Sequence, residues 1–158
     1  MNFIGRPTIH PLFFITGKAT GIITMIVIVA FLSAAYDLSV GSPFYPSDLL
    51  ALTVFVTGLV LAGISLSGLG GSTRMGLPVE KTFLKVQGIY RFSRNPMYLG
   101  FHLMTLSSML YMHTVLISGL GLYSLIIYHF IILGEERFLT AAFGDSYKNY
   151  CQKVHRYF

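Results

Sequence analysis

Leu49–Leu69 reads LLALTVFVTGLVLAGISLSGL, without one charged side chain. About 20 apolar residues in an α-helix cross the roughly 30 Å of hydrocarbon in a bilayer, so this run predicts a transmembrane helix. Three further runs qualify: roughly Ala19–Tyr36, Pro96–Met112 and Val115–Gly134. Only His113 and Thr114 separate the last two, which should therefore form a tight antiparallel hairpin. The first run carries Ser33 and Ala35 at a signal-cleavage-like spacing, but is too long for a signal core and reads as a retained anchor. Composition agrees. The 158 residues are 54% hydrophobic and 11% charged, with a mean hydropathy of +0.68. A soluble domain this apolar would lack the polar surface to cover its core. The expected fold class is all-α: a polytopic membrane helical bundle of four transmembrane helices plus a C-terminal amphipathic interfacial helix. A single integral membrane domain, 1–158, would comprise an N-terminal helix pair (1–70), a cytoplasmic loop (71–95), a helical hairpin (96–134) and the interfacial helix (135–158).

Charge orients this bundle. Of the 11 basic residues, Arg6 and Lys18 lie before the first run, and Arg74, Lys81, Lys85, Arg91 and Arg94 between the second and third. Arg137, Lys148, Lys153 and Arg156 follow the fourth, while the first outer loop carries Asp37 and Asp48. The positive-inside rule then puts both termini and the 71–95 loop in the cytoplasm. The net charge of +5 belongs to this arrangement, so anionic headgroups of the lipid bilayer are the expected partner and nucleic acid is not. A single cysteine, Cys151, excludes an internal disulfide and multi-cysteine metal sites, and no metal is expected. Gly68, Gly70 and Gly71 follow an apolar helix rather than a strand, which speaks against a nucleotide loop. Nothing in the sequence specifies an oligomeric state.

Two polar elements stand against this apolar background. Gln87–Gly100 reads QGIYRFSRNPMYLG. Pro96 forces Asn95 toward an extended conformation and suits the first turn of the third helix, whose free N–H groups could hold a carboxylate or phosphate. Arg91 and Arg94 add charge; Tyr90 and Tyr98 add aromatic faces, the same residues an interfacial belt would carry. The second element, Glu135–Glu136, sits directly after the fourth run, where acids are costly unless paired or functional. Those acids equally suit the first turn of a following helix. Leu139, Phe143, Tyr147, Tyr150, Val154 and Tyr157 recur at helical spacing, with Gly144–Asp145 as a break and new cap, so 135–158 should lie on the membrane surface.

Together, GIYRFSRNPMYLG and EERFLTAAFGDSYKNYCQKVHRYF closely resemble the isoprenylcysteine carboxyl methyltransferase family, to which phospholipid methyltransferases are related. The resemblance covers about Thr82 to Phe158. It implies an integral membrane enzyme that binds S-adenosylmethionine in a cytoplasm-facing pocket. By that similarity Leu84, Lys85, Tyr90, Asn95, Pro96, Met97, Tyr98 and Glu135 would line the cofactor, within a stretch that starts at Thr82. Arg94 and Glu136 are the candidate catalytic residues: Arg94 would hold an acidic acceptor or else snorkel to the headgroups, and Glu136 or a histidine would deprotonate an amine. The acceptor would be lipophilic, a small molecule or a lipidated substrate: a prenylcysteine-like carboxylate or a related lipid.

Two positions depart from the family pattern. The motif histidine is Asn95, which hydrogen-bonds but does not exchange a proton near neutral pH, leaving His102 or His129 for that task. The family's substrate-contacting arginine aligns with Ile131. The Asn variant is similar to bacterial members, implying a bacterial or archaeal inner membrane. Alternatives are a phospholipid or amine N-methyltransferase on the same scaffold and a non-catalytic membrane accessory protein. A nicotinamide-dependent sterol-reductase-like enzyme would demand more cytosolic polar surface than this chain has.

Overall fold

A computed structural model describes residues 7–35, 45–69 and 84–158. The expectations for Arg6, Tyr36, Asp37, Gly70, Gly71, Arg74, Lys81 and Thr82 lie outside these residues. Five α-helices follow in chain order: α1 Pro11–Ala35, α2 Pro46–Leu69, α3 Pro96–Met112, α4 Val115–Phe143 and α5 Asp145–Lys153. A single 3-10 turn, Gly88–Arg91, precedes α3, and no strand occurs among the described residues. Among the described residues, three stretches are long and apolar enough to cross a membrane: Pro11–Ser33, Pro46–Gly68 and Val115–Phe143. Helix α3 has 17 residues, about 25 Å at 1.5 Å per residue.

The local signals act where expected. Pro96 occupies the first turn of α3. His113 closes that helix in the left-handed conformation (φ 49°), and the Thr114 side chain caps α4 by accepting from the Ile117 N–H. Gly144 (φ 54°) then separates α4 from α5, in a conformation that disfavours a side chain.

Two boundaries differ from the apolar-run reading. Helix α1 starts at Pro11 rather than Ala19, so Lys18 lies inside the span instead of preceding it. A lysine at the centre of a span costs about 2.5–3.5 kcal/mol on insertion scales, and less nearer the interface. Here the Nζ sits 4.2 Å above the centre of the Phe14 ring, a favourable cation–aromatic contact. Helix α4 continues past Gly134 to Phe143, so Glu135 and Glu136 are interior helical residues and not the first turn of a new helix. Tertiary pairing described below stabilises them there. Only Asp145–Lys153 of the expected 135–158 interfacial helix forms a separate helix, with Tyr147, Tyr150 and Val154 buried against Leu84, Leu139 and Phe143.

Helices in lipid gain little from apolar burial against one another, so close backbone approach and interhelical hydrogen bonds must hold them together. Both are present. The Ser107 hydroxyl donates to the Ala51 carbonyl, Ser108 to Thr24 at 2.9 Å and Ser124 to Gly17 at 3.0 Å. Thr16 and Tyr123 share a 2.7 Å hydrogen bond across α1 and α4. Gly58 and Gly100 let α2 and α3 touch backbone to backbone: a Cβ on Gly58 would lie 2.6 Å from the Gly100 carbonyl oxygen. Gly63 on the same helix faces open space. Gly58→Leu should therefore cost about 1–3 kcal/mol of stability, the usual range for overpacking, while Gly63→Leu should leave the thermal unfolding midpoint in detergent unchanged.

Candidate functional site

The start of α3 and the C-terminal part of α4 meet the segment after α5 around one carboxylate. Glu136 Oε1 lies 3.0 Å from Arg94 Nη2 and accepts from Asn95 Nδ2 at 3.3 Å. Its Oε2 accepts from Arg156 Nε at 3.0 Å and Nη2 at 2.8 Å, a forked charge-assisted pair. The Arg94 and Glu136 side chains are only 11% and 12% exposed, which keeps this pair from the solvent screening that weakens surface ion pairs. The hydrogen bond to Glu136 holds the Arg156 guanidinium even more firmly protonated than usual.

Backbone contacts complete the clamp. The Arg94 N–H donates to the His155 carbonyl (3.0 Å), and Arg94 Nη1 to the Cys151 carbonyl (3.3 Å). The Ser93 hydroxyl and Asn95 Nδ2 both donate to the Arg156 carbonyl, at 3.2 and 3.3 Å. Ser93 Oγ also accepts from the Asn95 N–H at 3.2 Å. Arg94 Nε is buried without a partner. Asn95, the residue before the first turn of α3, makes no side-chain cap, so its amide is free to serve this network while the first N–H groups of α3 keep their positive end.

Glu135 faces a different neighbourhood. Its Oε1 accepts from the Tyr98 hydroxyl at 2.6 Å. Tyr98 is buried with Ile127, Tyr128, Ile131 and Ile132, and Met97 packs against that cluster. Tyr98 and Tyr128 form a ring pair with centroids 5.6 Å apart. Pro96 is fully buried, and Ile131, where the family arginine would align, has 0% exposure in the core.

The remaining sequence candidates lie on the other flank. Tyr90 is buried; its hydroxyl donates to the Ser65 carbonyl at 3.4 Å, and its carbonyl accepts from the Tyr150 hydroxyl. Burial pushes the Tyr150 phenol up to about 12 and raises that of Tyr90 further, so both stay neutral donors. Leu84 packs on Tyr147, Tyr150 and Val154, whereas Lys85 is exposed. The structure thus joins Arg94, Asn95 and Glu136 directly, and Tyr98 with Glu135, while Leu84 and Lys85 stand apart beside α5. His129 Nδ1 shares a 2.7 Å hydrogen bond with the Tyr157 hydroxyl, and His102 Nε2 is buried without a partner.

Sequence reasoning missed Arg156 and Ser93. Arg156 registered only as part of a basic end. The usable signal was the acid pair itself, since a carboxylate at that depth requires a cation and Arg156 lies in the one aromatic segment that returns to it.

The profile of the phospholipid methyltransferase family matches residues 47–146, and the chain belongs to that family. It is also similar to a curated relative from Schizosaccharomyces pombe named protein-S-isoprenylcysteine O-methyltransferase. The two are 35% identical over 101 residues, 62% of this chain and 40% of the relative. The match therefore spans well under two thirds of that relative's length.

Removing the carboxylate would leave two partly buried guanidinium groups facing each other. Glu136→Ala should cost about 3–5 kcal/mol of stability, as for other broken buried pairs. Lys148→Ala, which breaks the exposed Lys148–Asp145 pair, should cost less than about 1 kcal/mol in the same unfolding measurement.

Proposed function

We propose that the chain is a membrane methyltransferase that uses S-adenosylmethionine and acts on a lipophilic acceptor at the cytoplasmic face, with α3 as a fourth span and both termini cytoplasmic. One observation carries this reading: the Asn95–Pro96 entry to α3, the Glu135–Glu136 pair of α4 and the segment after α5 converge within hydrogen-bond distance, in a chain of the phospholipid methyltransferase family.

The residues present fit the cofactor. The uncapped N-terminus of α3 offers the N–H groups of Met97 and Tyr98 to a carboxylate. Glu135 spends one of its roughly four acceptor positions on Tyr98 and keeps others for ribose hydroxyls. Tyr90, Asn95 and Pro96 would complete that wall, with Leu84 and Lys85 at its outer edge. S-adenosylmethionine supplies a methyl group already activated on a sulfonium, so alignment and exclusion of water are the protein's share.

The charges favour a carboxylate acceptor. Its oxygen lone pair forms the new C–O bond as the C–S bond breaks, and no proton moves. An amine must first lose a proton. Glu136 is poorly suited to take it, because Arg94, Asn95 and Arg156 already occupy both oxygens. Its role here is to position Arg94 and the α3 entry. The relative's name, an O-methyltransferase, points the same way. A groove of about 610 Å³ between α3 and α4, lined by Leu99, Leu103, Leu106, Leu125, Ile126 and Phe130, gives an acceptor's hydrocarbon a place beside the site. Amine methylation is the second reading; the unpartnered His102 Nε2 in that groove is the base it would use.

Calorimetric titration of the purified protein with S-adenosylmethionine tests the proposal. Saturable binding that Glu135→Ala abolishes is expected. A folded sample that does not bind, even with lipid present, favours a non-catalytic accessory role, which the burial of Ile131 would suit.

A further inference from the structure

The groove between α3 and α4 is lined by leucine, isoleucine and phenylalanine except where His102, His129 and Tyr157 come together. On α3, His102 is four residues on from Tyr98, so it lies on the same side about 6 Å further along the helix. His129 is seven residues before Glu136 on α4, again on one side. Arg156, forked onto Glu136, brings the next residue, Tyr157, to both imidazoles. The Tyr157 ring centroid is 5.9 Å from that of His102 and 6.1 Å from that of His129. The cluster therefore adjoins the clamp and Tyr98, and forms part of the groove wall.

This cluster has donors to spare. His129 Nδ1 and the Tyr157 hydroxyl share one 2.7 Å bond. If the tyrosine donates it, a neutral His129 carries its proton on Nε2; if the histidine donates it, the tyrosine proton is free. Either way the pair retains one unspent donor. His102 Nε2 is buried with no partner, a costly state for a polar atom, and in its Nε2–H tautomer it is a second donor. No lysine, arginine or carboxylate side chain lines the groove, so an ionised group there would lack a counter-charge. The matching occupant is a neutral acceptor with no proton of its own. A carbonyl oxygen has two lone pairs for two donors, whereas a hydroxyl would bring a further proton.

We propose that this cluster selects the methyl acceptor: an acyl lipid, whose amide or ester carbonyl is held by His102 and the His129–Tyr157 pair while its chain fills the groove. This rests on the groove being the acceptor site of the methyltransferase, and it makes His102 a specificity-determining residue. The offset of about 6 Å from Tyr98 puts the carbonyl within a few bonds of a reacting group at that level. A hydrocarbon that is plain up to its reacting end would leave His102 Nε2 unsatisfied, so the site discriminates against it.

Two probes of equal length test this: N-hexadecanoylglycine, with an amide carbonyl, and nonadecanoic acid, without one. Titrated into the protein purified in an alkyl maltoside, the amide probe should bind about tenfold more tightly, the worth of one net hydrogen bond. It should also move the nitrogen resonance of His102 Nε2, assigned through His102→Leu in histidine-labelled protein. The preference should vanish in His102→Leu, by weaker binding of the amide probe alone, and recover in His102→Gln, which puts back a donor. Equal binding of the two probes by the wild type, or a preference that survives His102→Leu, overturns the proposal. So does an equal His102 shift with dioleoylphosphatidylcholine, which would mark a general seat for bilayer lipid. None of these titrations contains S-adenosylmethionine. A preference that holds in a protein unable to bind the cofactor would sink the methyltransferase reading and leave the carbonyl site standing.

Discussion

Glu136 is the point on which the end of this molecule where α3 begins and the chain leaves α5 depends. Two arginines and an asparagine from distant parts of the chain share its oxygens, and each brings backbone with it. Arg94 and Asn95 bring the entry to α3; Arg156 brings the segment after α5. A charge so little exposed persists only when its partners are in place, which makes the carboxylate a demanding organiser of its surroundings. Tyr98 is fixed just inside the clamp and carries Glu135 with it. The result is a polar cap of fixed geometry on helices whose outer surfaces are apolar.

The bilayer explains why so few contacts must do so much. Backbone groups in hydrocarbon are satisfied within helices, and the helices can be joined only by packing and a handful of hydrogen bonds. Ser107, Ser108 and Ser124 each reach a backbone carbonyl of another helix, and Gly58 with Gly100 removes the side chains that would keep α2 and α3 apart. Ionisable groups concentrate where water begins, and there they specify the arrangement. Lys18 is a charge inside a span, and its ammonium lies over the Phe14 ring.

Much of the fold could be read residue by residue, wherever a local rule decided it. Pro96 begins a helix, His113–Thr114 turns the chain, and Gly144 breaks it, because each acts through its own backbone preferences. The ends of α1 and α4 followed no local rule. A lysine looks like the edge of an apolar run until the Phe14 ring beneath it is known, and adjacent acids look like a helix start until their arginines are known. The candidate site shows the same division. Asn95, Tyr98, Glu135 and Glu136 were legible as a set, but Glu136's partners depend on contacts between residues far apart in sequence. Lys85, singled out by position in the motif, turns out to be exposed.

On the proposed function, the clamp around Glu136 and Glu135 is a cofactor site. Hydrogen–deuterium exchange in lipid, with and without S-adenosylmethionine, tests it directly, since amides that gain a ligand or lose mobility exchange more slowly. Slower exchange confined to the 84–98 stretch, the end of α4 and the segment after α5 is the result expected. Slowing confined to other parts of the chain, or no change at saturating cofactor, would contradict it.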